Sequence, residues 1–148
     1  MLFKRKFRQK SMMSTVVYEG DLRTNATHLR SSSQLETDAP VDNNGKGERF
    51  SPTDLLATSL ASCMLTIMGI KATAMNLDIK GIKADVEKIM KSEPRRVGGI
   101  NLRFHIPEAF SNFDEKNKQI LKNAANTCPV MQSIHPDILV DVDWGTWK

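Results

Sequence analysis

Sixteen consecutive residues, Leu55 to Ile70, carry neither charge nor proline, and they follow directly on Ser51-Pro52-Thr53-Asp54. That join has the chemistry of a helix start: Ser51 suits the N-cap, Pro52 the first helical position, and Asp54 the spot three beyond the cap, where a carboxylate sits well in the helix field. The spacing predicts a helix that runs on through Met75, with Asn76 near its end. On such a helix Leu56, Leu60, Cys63, Ile67 and Ile70 share one face, so Cys63 is expected in an apolar stripe. The stretch is short of the ~20 apolar residues a bilayer requires and contains Thr58, Ser59, Ser62 and Thr66. It therefore reads as a buried core helix, not a membrane span, and any fold must wrap around it.

What flanks the helix is patterned as strand. Ser14 to Gly20 (STVVYEG) is β-branched and aromatic, and the following LRTNATHLRSSSQLETDAP alternates in short stretches, as a hairpin whose second arm ends near Pro40. VDNNGKGERF is a polar, Gly-rich loop. Beyond the helix, IKGIKADVEKIMKSEP and RVGGINLRFHIP read as two strands of a meander, the second marked by Ile100, Leu102, Phe104 and Ile106 alternating with polar residues. Asp114 to Asn126 spaces Ile120, Leu121, Ala124 and Ala125 helically, with Ser111 or Asn112 as cap. Pro129 favours a short new helix beginning at Cys128, and Ile138, Val140 and Val142 mark a last strand. The expected order is β-β-α-β-β-α-α-β, an α+β fold with antiparallel sheet. At 148 residues, one domain over 14–148 is long enough to form a core without disulfide or metal staples.

The formal net charge of +4 suggests a nucleic-acid partner until the charge is located. Lys4, Arg5, Lys6, Arg8 and Lys10 all fall in the first thirteen residues, and without them 16 basic residues face 17 acidic ones. The body is thus nearly neutral, with no basic face for nucleic acid. Residues 1–13 read as a basic leader, either disordered or non-native upstream of a start at Met12 or Met13, in preference to a surface anchor, a nucleic-acid arm or an organellar presequence. No apolar region follows the basic residues as in a secretory signal, so a cytoplasmic setting is expected. No glycine pattern for a nucleotide or flavin is present, and no cofactor is implied.

The two cysteines, Cys63 and Cys128, lie 65 positions apart, and His28, His105 and His135 are scattered, so neither a CxxC pair nor a zinc ligand set is formed. In a reducing compartment the thiols are either core hydrophobes or a cycling redox couple. Cys63 reads as a packed thiol or as a nucleophile in an apolar pocket. Cys128, at a helix start, lies near unpaired N–H groups and the positive end of a helix dipole, both of which favour thiolate. A Cys128–His135 pair is a weaker alternative, since His135-Pro136 suits a turn.

SPTDLLATSLASCM, followed by CPVMQSI some sixty residues later, resembles the OsmC/Ohr family, named for osmotically inducible protein C and organic hydroperoxide resistance protein. The resemblance extends over Ser14 to Trp147. It implies antiparallel sheets around a long buried helix in an intertwined homodimer, whose active sites draw on both subunits. It also implies a thiol-dependent peroxidase: Cys63 as attacking thiol, Cys128 as resolving thiol, an organic hydroperoxide as substrate and a dithiol as reductant. An arginine from the N-terminal strands and a carboxylate before the helix assist in that family. Arg23 is the best match for the arginine, with His28 or Arg30 as alternatives. The family's Pro-Glu pair, ten residues before the first cysteine, is here Pro52-Thr53, which leaves Asp54 and Glu48; Glu48 is the expected substitute. A non-catalytic dimer of the same fold, binding a small ligand or sensing redox state, is the alternative reading.

Overall fold

The computed structural model describes residues 12–148, so the basic segment lies outside the described residues but for Met12 and Met13. The chain divides into two compact units, Met1–Pro52 and Thr53–Lys148.

In the first unit, strands β1 (Ser14–Gly20), β2 (Arg23–His28) and β3 (Gln34–Asp38) form an antiparallel sheet in that order. The expected hairpin arm is therefore two strands, because the chain reverses a second time through residues 29–33, where Ser32 N–H donates to the His28 carbonyl. Asp21 and Leu22, between β1 and β2, both have positive φ (50° and 61°), the twist a two-residue hairpin connection demands. Residues 39–48 then fold back on themselves. Gly45 N–H donates to the Pro40 carbonyl and Gly47 N–H to the Ala39 carbonyl. At position 45 only glycine fits, since a Cβ there would stand 1.7 Å from the Ala39 oxygen.

The second unit is organised by α1 (Pro52–Ala74), which matches the expected helix within one residue at its end. Strands β4 (Lys83–Ser92), β5 (Arg95–His105) and β6 (Leu139–Asp143) form its sheet in the order β4-β5-β6. β4 and β5 are antiparallel neighbours, whereas β6 runs parallel to β5. That direction follows from the long connection, which passes through α2 (Glu108–Ser111), α3 (Glu115–Asn126) and α4 (Pro129–Ser133). A crossover of this length permits parallel pairing, which a tight turn does not. The cap of α3 is Asp114, not Ser111 or Asn112: its side chain accepts from Asn117 N–H at 2.8 Å. The extra turn of α2 moves the start of α3 beyond the residues expected to cap it.

Ala57, Leu60, Ala61, Met64, Met68 and Ala72 form the buried face of α1, in one core with Ile100, Leu102 and Phe104 of β5, Leu121 and Ala125 of α3, and Trp147. Burial at this period is the helix signal itself, but the row is not the expected one. Leu56 and Ile70, seven residues either side of Cys63, are exposed, and Cys63 is half-buried between that row and the core face. With 23 residues, of which an 18-residue stretch has a mean hydropathy of 1.6, α1 is long and apolar enough by composition to cross a membrane. The sixteen-residue shortfall applied only to its charge-free part. Here it packs one face into the core, with Cys63, Leu65 and Ile67 half-buried beside that face and Leu56 and Ile70 exposed.

Candidate functional site

The two thiols are brought together in the second unit. Cys63 projects from the middle of α1 and packs against the core cluster that contains Cys128, which is completely buried. Both are free thiols. Cys128 is the N-cap of α4, with Pro129 in the first turn, and its Sγ accepts from Met131 N–H at 3.3 Å. Burial pushes the Cys128 thiol up from its ordinary value, and the neighbouring Cys63 pushes it further by hydrogen bonding and charge; the Met131 and Val130 N–H groups oppose this and lose. The expectation that the helix start makes Cys128 a ready thiolate is thus corrected. Two N–H donors do not outweigh removing the sulfur from water. The balance at Cys128 favours the thiol over the thiolate.

His135 does not serve Cys128 as a base. Its Nδ1 accepts from Asp137 N–H at 3.1 Å and faces Arg96 Nη1 at 3.2 Å. Arg96 also reaches Asp137, so the imidazole belongs to a surface turn.

Arg23 and Glu48, both in the first unit, are brought together with a third residue that the sequence did not single out. Arg23 Nε and Nη2 donate to the two carboxylate oxygens of Asp38 at 2.7 and 2.8 Å, and Nη2 also reaches Glu48 Oε2 at 3.0 Å. Cross-strand register explains the pair, since Arg23 on β2 stands opposite Asp38 on β3. Asp38 is buried, whereas Glu48 is 60% exposed. A second bond, from Glu48 N–H to Asp38 Oδ2 at 3.1 Å, ties the Gly-rich loop to the same carboxylate. The Arg23 hydrogen bond holds Asp38 well below the usual carboxylate range against the opposing effect of burial. Asp38, and then Glu48, raise Arg23 further above its already high value. This guanidinium is a permanent cation with a fixed plane. A signal for Asp38 was available: an Arg–Asp cross-strand pair becomes visible once β3 is recognised as a strand of its own.

The alternatives for the arginine are placed elsewhere. His28 Nδ1 contacts Ser31 Oγ at 2.7 Å inside the turn, and Arg30 lies in the same turn. In the second unit Thr53 and Asp54 share a lysine: Lys88 Nζ donates to Thr53 Oγ1 at 2.9 Å and pairs with Asp54 Oδ1 at 2.8 Å. Position 53 therefore presents a hydroxyl bound to a cation. Among the described residues no three His, Cys, Asp or Glu side chains are arranged to hold a metal ion.

Residues 45–143 match the family model described as OsmC-like protein. A candidate osmotic stress induced and detoxification response protein of Psychrobacter arcticus 273-4 is 54% identical, with 93% of this chain and 98% of that chain covered and a TM-score of 0.86. The organic hydroperoxide resistance protein OsmC of Legionella pneumophila is 17% identical over 90% of this chain and 96% of its own, with a TM-score of 0.68. OhrB of Bacillus subtilis, an organic hydroperoxide resistance protein, is 18% identical over 89% and 97%, with a TM-score of 0.59. The last two likenesses are of fold. A comparison with curated protein sequences gives no match.

Proposed function

The chain belongs to the OsmC family, and on that premise we propose that it is a thiol-dependent peroxidase that reduces organic hydroperoxides through Cys63 and Cys128. One observation carries the reading: two free thiols distant in sequence meet in one apolar cluster of the second unit, Cys128 buried within it and Cys63 half-buried against it. A pair of inert core cysteines has no need of each other, whereas a sulfenic acid needs a second thiol within reach.

The reaction balances as follows. The Cys63 thiolate attacks the outer peroxide oxygen of ROOH; the O–O bond breaks, the alkoxide takes a proton and leaves as alcohol, and Cys63 becomes a sulfenic acid. Cys128 then attacks the sulfenic sulfur, expelling water and forming the Cys63–Cys128 disulfide. An external dithiol reopens the bridge by exchange and is itself oxidised. Arg23 is proposed to bind the peroxide and stabilise the charge developing on the leaving oxygen, with Glu48 in contact with its guanidinium. Leu60, Met64 and Ile67, next to Cys63 along the helix, give the thiol apolar neighbours suited to an organic rather than an inorganic peroxide.

The same reading includes a homodimer, as the family resemblance implies. Leu56 and Ile70 on α1 are exposed in the single chain, as are Val16, Val17 and Tyr18 on β1. Among its described residues the first unit has no fully buried hydrophobic side chain, which leaves its apolar surface to a partner copy. A cytoplasmic, reducing setting completes the proposal, because the cycle depends on a dithiol supply.

A non-catalytic dimer that binds a small ligand or senses redox state is favoured by Thr53, which places no carboxylate at the family position. Substitution separates the two. For the peroxidase, Cys63→Ser abolishes peroxide consumption, while Cys128→Ser allows one oxidation to sulfenic acid and no bridge. A Cys63→Ser protein that consumes cumene hydroperoxide as fast as the unchanged chain contradicts the proposal.

A further inference from the structure

We propose that Cys128 is a redox-dependent helix cap: as a free thiol its sulfur closes the start of α4, and on bridging to Cys63 it lets go, so that α4 loosens in the oxidised chain. The inference rests on the Cys63–Cys128 bridge of the peroxidase reading and adds to it a conformational consequence. In the reduced chain the Cys128 Sγ accepts from Met131 N–H at 3.3 Å, which makes it the side chain that caps α4, with Pro129 next to it in the first turn. The Val130 N–H acts on the same sulfur, since both amides pull the thiol down against the effect of burial. One sulfur thus serves the first N–H groups of a helix, which have no carbonyl one turn back to bond.

The two thiols stand on elements of unequal stiffness. Cys63 lies in the middle of α1, whose 23 residues are seated in the core by Leu60, Met64 and Met68, all completely buried. Cys128 begins a helix of five residues, Pro129–Ser133, far below the length at which a helix holds without outside support. That helix is further tied by Gln132 N–H to the Cys128 carbonyl at 3.2 Å and by Ile134 N–H to the Val130 carbonyl at 3.0 Å, while Val130 and Met131 pack half-buried against the core. Joining two free sulfurs draws at least one of them toward the other. The Cys128 sulfur is placed by rotation about a single bond, so a sulfur turned to Cys63 is turned away from the amide it caps. Sulfur is a weak acceptor, and at 3.3 Å the cap bond is readily forfeited. The long helix stays and the short one yields. Pro129, Gln132 and Ser133 face solvent, so the change is displayed at the surface, where a dithiol meets the bridged chain.

The experiment follows amide hydrogen exchange residue by residue in the full chain, reduced and after bridging with diamide, a thiol oxidant that needs no peroxidase activity. The Met131 and Gln132 amides are expected to exchange about three- to tenfold faster in the bridged chain, the lower part of the range a lost N-cap gives, while the amides of α3 and β5 keep their rates. Two variants separate cap from bridge. Cys128→Ala can form neither, and in reducing buffer its α4 is expected to exchange as fast as that of the bridged chain. Cys128→Ser keeps a capping hydroxyl and no thiol, and its α4 is expected to exchange slowly with or without diamide. Equal α4 rates in the reduced and bridged chains, or a Cys128→Ala variant whose α4 stays as slow as in the reduced unchanged chain, overturns the proposal. A rise spread equally over α3 and β5, the mark of a general loss of stability, overturns it too, as does a chain that diamide does not bridge. If Cys128→Ala fails to fold, the bridged chain is set against Cys128→Ser, and equal α4 rates in those two overturn the proposal. Failure of the peroxidase reading has a different signature: diamide makes the bridge and α4 loosens, but cumene hydroperoxide leaves both thiols free.

Discussion

At the residue scale the chemistry is governed by what surrounds Cys128 and Asp38. Burial and the Cys63 sulfur both push the Cys128 thiol up, so in the proposed cycle the resolving step would wait on deprotonation. Its rate is expected to climb by up to tenfold per pH unit from neutrality upward, since thiolate fraction controls attack; a two-phase oxidation followed from pH 6 to 9 tests this, and a pH-independent second phase contradicts it. The same shift sets alkaline stability. A folded thiol that binds its proton more tightly than the unfolded one contributes fully below the ordinary value of 9.0 and loses that contribution as pH rises through the folded value. Cys128→Ser is expected to unfold with a flatter alkaline limb. Asp38 has the opposite sign: its lowered value contributes above the ordinary 3.8 and is lost as pH falls through the folded value. The drop in Tm between pH 7 and pH 3 should be smaller in Asp38→Asn than in the unchanged chain. Asp85, held down by His105 and Lys83, titrates in both proteins and cancels; equal drops refute the assignment. Cys128 as a helix cap was legible from the proline after it, but its protonation was not, because burial is set by α1 and β5, which are remote in sequence.

At the scale of elements, α1 was legible almost to its ends because start chemistry and sixteen uncharged residues agree on one structure. Its buried face was not. An all-round apolar helix does not declare which side it packs, and Ala57, Ala61 and Ala72 contribute to the core face as much as the larger side chains. Leu60→Ala or Met64→Ala removes a fully buried side chain and is expected to cost about 2 to 5 kcal/mol by denaturant unfolding, while Ile70→Ala in the isolated chain costs far less. Similar losses at positions 60 and 70 in a monomeric state disprove the packing described. The last strand was read from Ile138, Val140 and Val142, but its parallel direction and the separateness of β3 escaped the pattern for a related reason: strand count and direction depend on connections, and the alternation of side chains is the same either way. The Gly-rich loop was read correctly as loop, but its function of tying Glu48 N–H to Asp38 was not visible in its composition.

At the scale of the whole molecule, Leu56 and Ile70 of α1 and Val16, Val17 and Tyr18 of β1, exposed in the single chain, are the residues that the proposed dimer would cover. Sedimentation should give twice the 16.6 kDa chain mass, and Ile70→Glu should shift it toward one chain; a monomer at micromolar concentration contradicts the dimer. Family membership was legible from two short motifs, SPTDLLATSLASCM around Cys63 and CPVMQSI from Cys128, the sulfurs of the proposed cycle. Of the two carboxylates on Arg23, Glu48 was expected and Asp38 was not, since Asp38 stands on β3, which was not read as a strand of its own. The most direct test of the account is stopped-flow oxidation of the reduced protein by one equivalent of cumene hydroperoxide, with hydrogen peroxide in parallel and mass spectrometry of the product. The predicted result is fast loss of both thiols, preference for the organic peroxide and a Cys63–Cys128 bridge. Slow, unselective oxidation without that bridge would contradict it.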